Sequence, residues 1–123
     1  MSKEILRKKF LDIAESLQLV IDRFEGINEP ADFLKDDGGL IKYDSILIRL
    51  LAIGEALKKV SKKEPGLLEQ FPDIDWSGIM GLRDVISHHY FDLDAEVIFK
   101  ICNEEIIPLQ ETANKILSDL NKS

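Results

Sequence analysis

Leu6, Phe10, Ile13, Leu17, Val20 and Phe24 recur at alternating spacings of four and three. That period gathers all of them on one stripe of an α-helix and would scatter them over both faces of a strand. The pattern returns at Ile46, Leu50, Ile53, Leu57 and Val60, flanked by Leu47 and Leu51. Two long helices that each need apolar cover lead to a helical bundle. Ser2, followed by Lys3 and Glu4, is the expected start of the first helix, and Gly26 its stop. Gly54 falls on the apolar side of the second stripe. Glycine in a helix costs roughly 1 kcal/mol against alanine, so a close helix–helix approach is expected there.

Between these stripes, residues 27 to 39 read as a connector. Asn28, Pro30, Asp36-Asp37 and Gly38-Gly39 act as breakers, with a short helical turn possible over Ala31 to Leu34. Lys58, Lys59, Lys62 and Lys63 close the second helix, where cations suit the dipole, and Glu64-Pro65-Gly66 ends it. Leu67 to Phe71 suits one further turn. Asp75 is the expected N-cap of a helix beginning at Trp76 and running to about Ser87 or His89. Ile79, Leu82, Val85 and Ile86 are expected on its buried side. Asp94 caps the last helix, whose apolar face is Val97, Ile98, Ile101, Leu109, Ala113, Ile116 and Leu120. Pro108 predicts a kink or break near Glu104 to Ile107. The expected fold is all-α: an antiparallel bundle of four main helices with short additions, in a single domain over residues 1–123.

The 45% hydrophobic and 32% charged content suits a folded globular chain and excludes disorder. Cys102 is the only cysteine, so neither an internal disulfide nor a cysteine metal cluster is available, and a reducing, cytoplasmic setting is expected. No apolar run approaches the length of a membrane span, and Met1 to Ile5 does not read as a signal peptide. The net charge of −7 argues against a broad basic nucleic-acid face, and no DNA partner is expected. It leaves room for an enzyme that grips a few phosphates locally, and it suits docking onto a basic partner.

The chain has two histidines, His88 and His89, with Arg83 five residues before the first and Tyr90 two after it. On a continuing helix, Asp84 and His88 share a face, Arg83 and Tyr90 share the neighbouring stripe, and His89 points elsewhere. These groups suit phosphodiester cleavage in RNA. A histidine near neutrality removes the 2′-hydroxyl proton. An arginine grips the phosphate and stabilises transition-state charge, and neither step needs a metal or cofactor. The bland alternative is that arginine, aspartate and histidine merely cap and pair at a helix end, with Tyr90 closing the bundle.

Arg83-Asp84-x3-His88-x-Tyr90 resembles the Arg-x4-His-x-Tyr motif of the HepT-like branch of HEPN-domain proteins. Ile53-Gly54-Glu55-Ala56-Leu57-Lys58-Lys59-Val60-Ser61 is similar to that family's second helix. Ile74 to Asp84 is similar to the approach to its motif, and Tyr90-Phe91-Asp92-Leu93-Asp94 to the exit. The likeness covers roughly residues 3 to 120 and is weakest near 27 to 42. The resemblance implies a HEPN-type bundle that forms a homodimer, with two motifs facing across a cleft. It also implies metal-independent RNA cleavage, with tRNA a substrate class, by Arg83 and His88, with Asp84 as accompanying polar residue. A minimal nucleotidyltransferase antitoxin is the implied partner, silencing the toxin by transferring AMP to Tyr90. His89 is a supporting candidate without a defined role.

Arg49, Lys58, Lys59 and Lys62 are candidates for further phosphate contacts, although a solvated helix end is the favoured reading of the lysine run. Two other readings compete. One is a non-catalytic helical dimer that binds the nucleotidyltransferase or a nucleotide, which the acidic charge favours. The other is a purely structural bundle, which predicts that Arg83 and His88 pair and are buried within one chain.

Overall fold

A computed structural model describes residues 1–122. The first stripe forms α1 (Lys3–Phe24), which begins where Ser2 Oγ accepts from the Ile5 N–H at 3.1 Å and ends just before Gly26. Leu6, Phe10, Ile13, Leu17 and Val20 are buried, and Phe24 packs at the edge of the core. A 3₁₀ turn, Pro30–Phe33, occupies the middle of the connector and buries Phe33.

The second helix, α2 (Asp37–Lys63), starts earlier than the sequence suggests. Asp36 caps it by accepting from Gly39 N at 2.7 Å, so Gly38 and Gly39 lie in its first turn and do not interrupt the chain. Gly39 has a packing reason to lack a side chain: a Cβ there would fall 2.0 Å from the Asp32 carbonyl oxygen. Gly54 behaves as expected, since its Cβ would meet the Ile79 carbonyl at 2.9 Å.

After a 3₁₀ turn at Leu68–Gln70, α3 (Trp76–His89) begins on the Asp75 cap, whose Oδ1 accepts from Gly78 N at 3.0 Å. Ile79, Leu82 and Ile86 are buried, but Val85 is 44% exposed. The buried stripe on α3 is narrow because the helix packs chiefly against α2, leaving Val85 on its uncovered flank. A 3₁₀ turn, Tyr90–Asp92, leads into α4 (Ala95–Glu104), capped by Asp94. The interruption expected from Pro108 is a complete break at Glu105, after which α5 (Ile106–Asn121) follows. Pro108 is the third residue of α5, where a missing N–H removes no helical hydrogen bond. Val97, expected on the apolar face, is 50% exposed.

Cross-contacts fix the helix directions. Met1 N pairs with Glu64 at the end of α2, while Lys42 Nζ donates to the Glu25 carbonyl, so α1 and α2 are antiparallel. Gln110 at the start of α5 donates to Gln18 late in α1. Gly54 faces Arg83 while Asp44 meets Tyr90, so α2 and α3 are antiparallel as well. The packing order is α5, α1, α2, α3, with α4 lying against the Pro30–Phe33 turn. The bundle is all-helical, with no strand among the described residues, and none of its helices is long and apolar enough to cross a membrane.

Cys102 is buried in this core, and burial pushes its thiol up to about 12, which makes it unreactive. Tyr43 is also buried, and its hydroxyl makes no hydrogen bond. A buried polar group without a partner stabilises nothing. Tyr43→Phe is therefore expected to leave stability unchanged or to raise it by up to about 1 kcal/mol. A lower midpoint in urea denaturation would refute this.

Candidate active site

The motif occupies the last two turns of α3 and the 3₁₀ turn after it. Gly54 sets the depth at which α3 rests on α2 beside Arg83, whose Cβ would lie 3.4 Å from a Cβ on Gly54. Arg83 is thus anchored at its root, while its side chain remains 38% exposed. Its Nη1 lies 2.9 Å from Asp84 Oδ1. That guanidinium, foremost by hydrogen bonding, holds the Asp84 carboxyl below the usual carboxylate range. The charge of Lys58, one turn beyond Gly54 on α2, acts in the same direction. Lys58 is thereby one of the basic candidates whose charge is felt at Asp84.

His88 is exposed, and its Nδ1 lies 3.0 Å from the Asp84 backbone carbonyl. A carbonyl oxygen only accepts, so Nδ1 carries a proton, and in the neutral ring Nε2 is the nitrogen with the lone pair. The basic nitrogen is therefore the one that this bond leaves free. Ser87 Oγ donates to the Arg83 carbonyl at 2.7 Å in the same way. Both bonds run from a side chain to the carbonyl four residues back, and that of His88 fixes the orientation of its ring.

The structure thus joins Arg83 to Asp84 and hangs His88 on the Asp84 backbone. It does not join Arg83 to His88. Residues five apart on a helix point about 140° away from each other. His89 turns toward a different region, a pocket of about 420 Å³ lined by Leu82, Val85, Leu93 and Val97 among others. Tyr90 is 43% exposed, and its hydroxyl donates to Asp44 Oδ1 on α2. Asp44 carries no local signal in the sequence and is found only through this contact. Phe91 is 97% exposed, with its ring edge-on to Tyr90 at 5.5 Å. A purely structural bundle would bury and pair Arg83 with His88, and neither holds here.

Among the described residues, no three His, Cys, Asp or Glu side chains converge closely enough to hold a metal ion. The groups present can take a proton at His88 Nε2, bind an anion at Arg83, and offer a phenol at Tyr90.

Comparison with known proteins gives this arrangement a context. The ribonuclease HepT-like family matches residues 13–116. The chain is 31% identical to "Putative RNase MJ0127" of Methanocaldococcus jannaschii over 121 residues, 98% of this chain and 93% of that one. It is 34% identical to "Probable ribonuclease HepT" of Thermococcus cleftensis over 106 residues, 85% of this chain and 89% of the relative. It is 30% identical to "Putative RNase TTE0752" of Caldanaerobacter subterraneus over 105 residues, covering 85% and 88% of the two chains. No solved structure matches at a significant level.

Proposed function

Because the chain belongs to the ribonuclease HepT-like family, we propose that it is a metal-independent endoribonuclease in which Arg83 and His88 act together. The observation that carries this reading is the setting of His88. Its Nδ1 is held on the Asp84 carbonyl, and Nε2 is free at an exposed helix end. In the proposed reaction His88 Nε2 takes the 2′-hydroxyl proton of RNA as the 2′-oxygen attacks the adjacent phosphorus. The bond from that phosphorus to the 5′-oxygen breaks, and the 5′-oxygen leaves with the electron pair and takes a proton from water, giving a 2′,3′-cyclic phosphate and a 5′-hydroxyl. Arg83 offsets the charge that grows on the phosphate oxygens. Asp84 holds the guanidinium until substrate arrives. Their ion pair is too exposed to resist an incoming phosphate. The reading is tested by incubating the purified chain with RNA, tRNA included, in the presence of a chelator. Cleavage leaving 2′,3′-cyclic phosphate ends supports it, and dependence on added metal ions overturns it.

The same reading makes the active form a homodimer. Arg83 and His88 diverge around α3, so a second copy is needed to bring one chain's arginine and the other's histidine to the same phosphate. Val85, Tyr90, Phe91 and Val97 form exposed apolar surface around the end of α3, where such a contact would lie. Phe91→Glu is expected to weaken self-association by about 30-fold, as loss of a buried interface aromatic worth roughly 2 kcal/mol would. Sedimentation equilibrium measures this, and an unchanged dimer would place the interface elsewhere.

As biological role we propose the toxin of a type VII-like toxin–antitoxin pair, acting on tRNA or other RNA. A nucleotidyltransferase antitoxin would silence it by transferring AMP to Tyr90, whose exposed ring is accessible to such an enzyme. An adenylate there would add bulk and negative charge near Arg83. One observation favours a second reading, a non-catalytic dimer serving the nucleotidyltransferase. The chain carries a net charge of −7, poorly suited to RNA. Unmodified wild-type protein that leaves RNA intact would select it.

A further inference from the structure

Tyr90 and Asp44 are 46 residues apart in sequence, yet the phenol donates directly to the carboxylate. Both residues are exposed. Neither group needs the other for satisfaction, because water can serve a phenol and a carboxylate at a surface. What the pair does have is the arrangement of an activated nucleophile: an oxygen that can attack, in contact with a base that can take its proton, open to an incoming reagent. The second tyrosine of the chain is a built-in contrast. Tyr43 directly precedes Asp44, but it is buried and its hydroxyl has no partner.

We propose that Asp44 is the proton acceptor for nucleotidyl transfer to Tyr90. The proposal rests on the reading above that Tyr90 receives AMP, and it adds the group on this chain that makes Tyr90 reactive. Tyr90 Oη attacks the α-phosphorus of ATP. The Oη–P bond forms as the bond from that phosphorus to the bridging oxygen breaks, and pyrophosphate leaves with the electron pair. The phenolic proton passes to Asp44 Oδ1 and then to water. The transferase supplies the ATP site. Hydrogen bonding to Asp44 raises the phenol above its ordinary range, because a phenolate would lose that bond and face the carboxylate. Little phenolate therefore forms at rest, and the proton must leave during attack, when a base in contact counts most. Once Oη carries the adenylate it has no proton to donate, so modification also breaks the tie between α2 and the Tyr90–Asp92 turn.

The test uses the full chain with its nucleotidyltransferase, ATP and magnesium, followed by intact mass and peptide mapping over time. Wild-type protein is expected to gain AMP on Tyr90. Asp44→Asn keeps the shape and an oxygen that can accept the phenol's hydrogen bond, but it takes no proton. Its transfer rate is expected to fall about 100-fold or more, with the loss in kcat and little change in KM for the chain. Asp44→Glu restores a base and is expected to recover part of the rate. A role confined to holding Tyr90 in place would leave the Asn variant near wild type. That result, with wild type modified, overturns the role of Asp44 alone. No adduct on wild-type Tyr90 overturns the modification reading and this proposal together. Melting curves of both variants confirm that they are folded, as expected for an exposed residue.

Discussion

His88→Ala is expected to slow RNA cleavage by about two to four orders of magnitude, the usual contribution of a positioned general base. The substitution removes the one ring whose basic nitrogen is both oriented and free. Its Nδ1 is committed to the Asp84 carbonyl at 3.0 Å, so the proton-accepting function rests on Nε2 alone. The side chain is exposed and fills no part of the core, so stability should move by no more than about 0.5 kcal/mol. A large loss of rate with an unchanged melting curve would therefore be chemical in origin. Added imidazole should restore part of the rate, since it supplies the missing base without repairing anything structural. His89→Ala provides the internal comparison. Its ring lines the apolar pocket beside Val85 and Val97 and is not held on the motif backbone, so a much smaller effect is expected. Cleavage by His88→Ala at the wild-type rate, in metal-free buffer, would remove His88 from the chemistry.

What could be read from residues alone depended on whether the reason for each lay nearby in the chain. The stripes of α1 and α2 are legible because one face of each helix is buried along its whole length. The caps at Ser2, Asp75 and Asp94 are legible because they answer to N–H groups two or three residues ahead. Gly38-Gly39 reads as a breaker because the need for Gly39 comes from the Asp32 carbonyl, set in place by a turn the pattern does not reveal. Val85 reads as buried because its spacing from Leu82 is right for a helix face, yet nothing covers that flank of α3. At the site, Arg83, Asp84, His88 and Tyr90 stand out as a cluster. Asp44 does not, since it sits among Ile41 and Ile48 on the exposed side of α2 and acquires meaning only when α3 returns beside it.

Gly54→Val should be the most disruptive single substitution between the two helices that build the site. A glycine within a 27-residue helix carries a propensity penalty, so alanine would be favoured by roughly 1 kcal/mol if the space were open. It is not open. A Cβ would stand 2.9 Å from the Ile79 carbonyl oxygen and 3.5 Å from that of Met80. Backbone atoms in the first turns of α3 cannot swing aside as a side-chain tip can, so α3 as a whole must move away from α2. Valine adds two methyl groups beyond that Cβ and prefers one rotamer in a helix, which removes any easy escape. The expected loss is about 3 kcal/mol, the upper part of the range for overpacking, or a fall in Tm of roughly 10 °C for a chain of this length. The displacement begins at Ile79 and reaches Arg83, whose Cβ would meet the new Cβ at 3.4 Å, so RNA cleavage should fall even at temperatures where the variant is folded. Gly54→Ala, with the smaller intrusion, should lie between the two proteins in both respects. Full stability of the valine variant would show that α2 and α3 do not approach closely at Gly54. Full activity with reduced stability would show that the position of Arg83 is not set by that contact.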